Sequence, residues 1–280
     1  MNFDLKNTNY NTIAQFLPDW FDISGVVNGQ MDIDGYGHDM KTNIVGTIDD
    51  GKFERANIGN GSFRCEYDGN NLVFKSFSSD LTDNHLTGYG FLPIDLNLHS
   101  DNFGKFRDSD SLYLFVEGKT NNLEFITNYF DEVDSAPGNY TLALELSGVW
   151  EKIIRNGRLS INNAMVNTPL LDDPIRQLNG FVQIVDNKLI FEDLRGKMYK
   201  NTRRLNRARE NIAVSGSMDM TKFFDPIMNI RAKGNDAYFR SLIYEMEGTT
   251  DFDIAVTGRD TILIAGEVAP INVEMFQPLT

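Results

Sequence analysis

Three times in this chain two glycines stand ten positions apart and bracket a run in which apolar and polar residues alternate. Residues 25–35 read GVVNGQMDIDG, residues 138–148 read GNYTLALELSG and residues 248–258 read GTTDFDIAVTG, with starts 113 and then 110 residues apart. Met31 and Ile33 alternate with Asp32 and Asp34. Leu142, Leu144 and Leu146 alternate with Ala143, Glu145 and Ser147, and Phe252, Ile254 and Val256 with Asp253, Ala255 and Thr257. Successive strand side chains point to opposite faces, so each run predicts a strand with one apolar and one mostly polar face. Recurrence at so regular an interval predicts an array of like units.

Each run follows a short segment with apolar residues at three- and four-residue spacing: residues 12–20 (TIAQFLPDW), 122–130 (NLEFITNYF) and 237–245 (AYFRSLIYE). That spacing predicts a turn or two of amphipathic helix, ended by Pro18 in the first case. After the bracketed runs the first two units stay parallel, and LVFKSF (72–77) matches LIFEDL (189–194) in hydrophobicity position by position. The dipeptides Asn28-Gly29, Asp50-Gly51, Asn60-Gly61, Asp68-Gly69, Asn156-Gly157 and Asn179-Gly180 predict tight hairpin turns between short strands. The expected organisation is a helix plus meander over 1–121, a second such unit over 122–236 with a basic insertion at 197–209, and an incomplete third over 237–280, as in a piece cut from a longer array.

With 20 Phe, 10 Tyr and 23 Gly the composition suits strands and turns. A net charge of −14 argues against a nucleic-acid partner, because phosphate contacts need clustered cations. The basic residues concentrate only in 197–209 (KMYKNTRRLNRAR). Such a run is ordinarily a solvated loop; its functional reading is that Lys200, Arg203, Arg204, Arg207 and Arg209 meet anionic lipid head groups or an acidic partner. The single cysteine, Cys65, excludes an internal disulfide, and its setting between Phe63 and Tyr67 reads as a buried strand position. No stretch approaches the ~18 apolar residues of a membrane-spanning helix, nor does the start resemble a signal peptide.

No catalytic machinery is legible. His38, His85 and His99 lack metal-ligand spacing, and no HExxH, Gly-x-Ser-x-Gly or Walker loop occurs. Asp172 and Asp173 are neighbours, which on a strand point to opposite faces. The chain is expected not to be an enzyme and to need no metal or cofactor.

The segment NGRLSINNAMVNTPLLDDPIRQLNGFVQIVDNKLIFEDLRGK within residues 148–197, with its return strand at SGSM, resembles the repeating pattern of the AsmA/TamB family; residues 46–90 (GTIDDGKFERANIG, GNNLVFKSFSSD, LTGYGFLPIDLNL) follow the same grammar. Two stretches depart from it, the basic insertion and residues 102–122. The resemblance implies an open, curved β-groove with an apolar concave face, in a periplasmic protein anchored in the inner membrane by a segment outside this sequence. It also implies a role in moving phospholipid toward the outer membrane and, in one branch, in assembling outer-membrane β-barrel proteins.

The expected fold is therefore all-β with short helices, in repeating antiparallel β-meander units forming an open, curved β-groove. A sheet with one apolar face must cover it with another layer or with a ligand. One short helix per unit is too little cover, so an acyl chain is the expected occupant. The expected lining is Met31, Ile33, Phe63, Leu72, Phe74, Leu142, Leu144, Leu146, Leu159, Ile161, Leu189, Phe191, Phe252, Ile254 and Val256. The phase of Phe63, Leu72 and Phe74 depends on the absence or presence of a β-bulge. Two other readings stand beside this one: a scaffold or chaperone for β-barrel assembly, working through a free sheet edge, and a closed β-repeat adhesin or binding module.

Overall fold

The structure, a computed structural model, describes residues 1–9, 23–35, 40–53, 56–81, 84–97, 100–123, 133–169, 171–200, 205, 207–221, 226–241, 245–259 and 261–275. They form fifteen strands in one antiparallel sheet whose order follows the chain. The strands are β1 (Asn2–Asn9), β2 (Ile23–Asp34), β3 (Lys41–Phe53), β4 (Ala56–Tyr67), β5 (Leu72–Leu81), β6 (Asn84–Leu92), β7 (Ser111–Asn122), β8 (Pro137–Val149), β9 (Lys152–Thr168), β10 (Leu171–Val185), β11 (Lys188–Lys197), β12 (Ile212–Asp219), β13 (Ile227–Ser241), β14 (Met246–Gly258) and β15 (Ile262–Met275). The sheet is not closed: β1 and β15 stand at the two ends of the order. The chain divides into two compact units, unit 1 comprising Met1–Lys119 with Leu142–Arg155 and unit 2 comprising Thr120–Thr141 with Asn156–Thr280.

The glycine-bracketed runs are β2, β8 and β14, and the matched segments LVFKSF and LIFEDL lie in β5 and β11. The period of the array is thus six strands. The second glycine of each bracket, Gly35, Gly148 and Gly258, takes a positive φ of 86°, 105° and 131°.

Two expectations need correction. No helix occurs among the described residues: Ala237 to Ser241 continue β13, while residues 12–20 and 124–130 lie outside the description. Ala237 pairs Thr250, Phe239 pairs Gly248 and Ser241 pairs Met246 in the β13–β14 ladder, a strand that the aromatic spacing disguised.

The Asn-Gly and Asp-Gly dipeptides are the second correction, because only Asp68-Gly69 lies in a hairpin turn; the other five lie inside strands. Three of their asparagines serve bulges. The Asn28 side chain accepts from the backbone N–H of Asn7 (2.7 Å), Asn60 from that of Asp50 (3.2 Å) and Asn179 from that of Asn163 (2.8 Å). Asn7, Asp50 and Asn163 have φ near +50°. A bulge leaves one N–H without a ladder partner, and the next strand supplies the acceptor. Asp251, at the position of β14 equivalent to Asn28 in β2, does the same for Asp236 (2.8 Å). The following glycine is needed for closeness: a Cβ on Gly29 would fall 2.6 Å from the Val45 carbonyl oxygen.

Candidate functional site: an apolar strip in each unit

Strand register sorts the side chains. In unit 1, one row across the sheet runs Ile33, Thr42, Tyr67, Leu72, Leu92, and the next Met31, Ile44, Cys65, Phe74, Gly90, Leu114. A third runs Gly29, Gly46, Phe63, Phe77, Gly88, Val116. These rows share one face. The opposite face carries rows such as Gln30, Val45, Arg64, Ser76. Glu145 hydrogen-bonds Tyr113 on that second face, which by alternation places Leu142, Leu144 and Leu146 with the apolar rows.

Unit 2 repeats the arrangement. One row runs Leu159, Val182, Phe191, Gly216, Ile230, Val256, Ile264, and another Leu194, Val214, Ala232, Ile254, Gly266. Leu189 joins Ile184 and Met218, Phe252 joins Gly234 and Val268, and Ile161 lies opposite Gly180. All fifteen apolar residues singled out in the sequence therefore lie on the apolar face of their own unit.

The uncertain phase is settled by a bulge. In β5, Arg64 pairs Ser76 while Cys65 pairs Phe74, so Lys75 is the extra residue and Phe77 returns to the apolar face. In β11 a register shift between Phe191 and Leu194 has the same effect. The bulge thus recurs at the same place in the six-strand period. Across from it stand Gly90 (φ 152°) and Gly216 (φ 127°). Phe77 and Leu194 were missed because a bulge breaks the period of two. Ile212, Val214, Met228 and Ile230, also missed, alternate plainly.

Aromatic rings lie flat along the strip. A Cβ on Gly46 would fall 2.6 Å from the Phe63 ring, and one on Gly88 or Gly234 would collide with Phe77 or Phe252. Most of the strip is half-buried; apart from Val27 in unit 1, the fully buried apolar side chains gather at one end of each unit. In unit 1 it gathers where even-numbered strands end, around Cys65, Tyr67, Ile94 and Leu112. There the Tyr67 hydroxyl donates to Gly69 O (3.0 Å) and accepts from the Leu96 N–H (3.2 Å). Burial raises the Tyr67 pKa and pushes the Cys65 thiol up to about 12. In unit 2 it gathers where odd-numbered strands end. Leu123, Ala136 and Tyr140 pack with Ile161, Ala164, Val182 and Leu194, and Met198 packs with Ile212 and Ala237.

The basic insertion sits at that end of unit 2. Met198 and Leu205 are buried, the Met198 carbonyl accepts from the Tyr238 N–H (3.0 Å), and Lys197 Nζ donates to Leu205 O (2.9 Å). Lys200 Nζ pairs with Glu247 (2.8 Å), which also accepts from the Tyr238 hydroxyl (3.0 Å). The Lys200 hydrogen bond lowers the Glu247 pKa; burial, then the Glu247 contact, pushes Tyr238 to about 12. A half-open pocket of about 350 Å³ lies beside this cluster, bounded also by Tyr199, Asn272 and Glu274. Arg207 and Arg209 are exposed, and Arg203 and Arg204 lie outside the described residues.

β15 differs from every other strand in being exposed along its whole length, Ile264 at 68% and Met275 at 81%. Among the described residues no helix is long and apolar enough to cross a membrane, and no group of acidic, His or Cys side chains could hold a metal ion. Comparisons of the chain with family models, with curated proteins and with solved structures find no match.

Proposed function

We propose that the apolar strips hold the acyl chains of phospholipid, and that the chain is part of an AsmA/TamB-like envelope protein carrying lipid between the inner and outer membranes. The single observation that carries this reading is the sorting of apolar side chains onto one face of an unclosed sheet, half-buried beyond the covered end of each unit. Each methylene removed from water contributes about 0.8 kcal/mol, so a tail of about sixteen carbons gains on the order of 10 kcal/mol before the cost of ordering it. No polar recognition is needed to hold it. A periplasmic location with an inner-membrane anchor elsewhere in the protein follows from the same resemblance.

The test is native mass spectrometry with lipid extraction on the chain purified gently from a membrane-containing bacterial lysate. Phospholipid is expected with the wild type and is expected to disappear in Leu144→Asp and Ile254→Asp variants whose circular dichroism is unchanged. A lipid-free wild type would overturn the reading.

A further inference from the structure

The strip reading leaves one feature without a role, the segregation of charge. Residues 197–209 hold six of the 26 basic residues and no acidic one, in a chain of net charge −14. Such a concentration on an acidic protein is a local attractor for anions. Its placement gives it a direction. Met198 clusters with Ile212 and Ala237, Phe239 of β13 and Phe252 of β14 pack against that cluster, and Leu205 is buried too. Lys200 is neutralised by Glu247, whereas Arg207 and Arg209 flank Ala208 on the outside. Apolar anchors thus point inward and guanidinium groups outward at the covered end of unit 2's apolar strip.

We infer that Arg207 and Arg209 dock this end of the strip on an anionic phospholipid surface. The inference rests on the lipid reading and deepens it, naming the class of membrane from which tails enter or to which they leave. Charge complementarity selects the partner: a bilayer presents a plane of phosphates to side chains that need no fixed geometry, and the interaction fades within a Debye length.

Vesicle sedimentation of the full chain with phosphatidylglycerol and with phosphatidylcholine vesicles tests it. Each cation near an anionic surface contributes roughly fivefold to partitioning, so Arg207→Gln with Arg209→Gln is expected to lower binding to phosphatidylglycerol roughly 25-fold. Binding to phosphatidylcholine should be weak and unchanged, and added salt should erase the difference. A double variant that binds phosphatidylglycerol as the wild type does, or a wild type indifferent to head-group charge, overturns the inference. So does tighter binding to soluble polyglutamate than to vesicles, which would assign the arginines to an acidic polypeptide. The Leu144→Asp and Ile254→Asp variants separate the two ideas. If they lose co-purified lipid but dock normally, both stand; arginine-dependent docking by a wild type that carries no lipid sinks the strip and leaves the docking.

Discussion

Units 1 and 2 close one end of their apolar strips by different means. In unit 1 buried Cys65, Tyr67, Ile94 and Leu112 are tied down by polar contacts from one long connection. Residues 93–97 and 100–110 are held by hydrogen bonds from the Asn97 N–H (2.9 Å) and the Ser100 hydroxyl (2.6 Å) to the Asp95 carboxylate, and Tyr67 ties the β4–β5 turn to the Leu96 N–H. One aromatic stack, Phe106 on Trp150 at 3.8 Å between ring centroids, supplements it. In unit 2 the closure is apolar, through two clusters centred on Ala164 and Ala237. The comparison teaches that the sheet sets the strip while the connections set its covered end, and that dissimilar connections serve equally well.

If apolar packing closes unit 2, truncation there should have the largest effect. Leu194→Ala, at a residue 5% exposed, is expected to cost about 3 kcal/mol. Hydrogen exchange should locate the loss in β9–β12; an effect spread evenly over β1–β6 would break the distinction. In unit 1 the polar contacts predict a response to a single oxygen. Tyr67→Phe is expected to cost about 1–2 kcal/mol by urea denaturation, since it strands the half-buried Leu96 N–H while leaving the ring in place.

A third pair of variants asks where the units are alike. Asn60→Ala and Asn179→Ala remove the same bulge acceptor from β4 and β10, and each should cost about 1 kcal/mol. Unequal values would mean that the bulges are not equivalent parts of one repeat. The smallest expected effect is a pH dependence on the polar face of unit 2. The Arg231 hydrogen bond holds Asp253 at about 2, below its ordinary 3.8, with Lys233 adding a contact at 3.1 Å. A depressed carboxyl pKa contributes stability above the unfolded value that is lost as pH falls from about 4 through about 2. Arg231→Gln should raise the Asp253 pKa in a carboxyl NMR titration; no change would remove Arg231 as the cause.

Much of this was legible in the residues and some was not, for physical reasons. Alternation in β2, β8 and β14 reports directly on which side chains share a face, and every apolar residue picked by it lies on the strip. Phe77 and Leu194 escaped because each sits three positions beyond an apolar neighbour, the signature of a bulge rather than of a turn. Asn60-Gly61 and Asn179-Gly180 misled for a related reason: the chemistry that suits a hairpin, a side-chain acceptor beside a residue without Cβ, also suits a strand receiving its neighbour's bulge. The basic insertion was visible as charge alone. Its placement at the end of the strip depends on Met198 and Leu205, two apolar residues that periodicity could not assign.

The six-strand period has a consequence for how such a chain can change in length. Strand direction alternates along a meander, so loss or duplication of an odd number of strands would reverse every later one, and bulges and kinked glycines would meet the wrong neighbours. Six is even. Whole periods can be excised or copied while each remaining strand keeps its heading, its facing and its partner chemistry, so an array like this one can be lengthened or shortened as one adds or removes links, with no new kind of junction to invent.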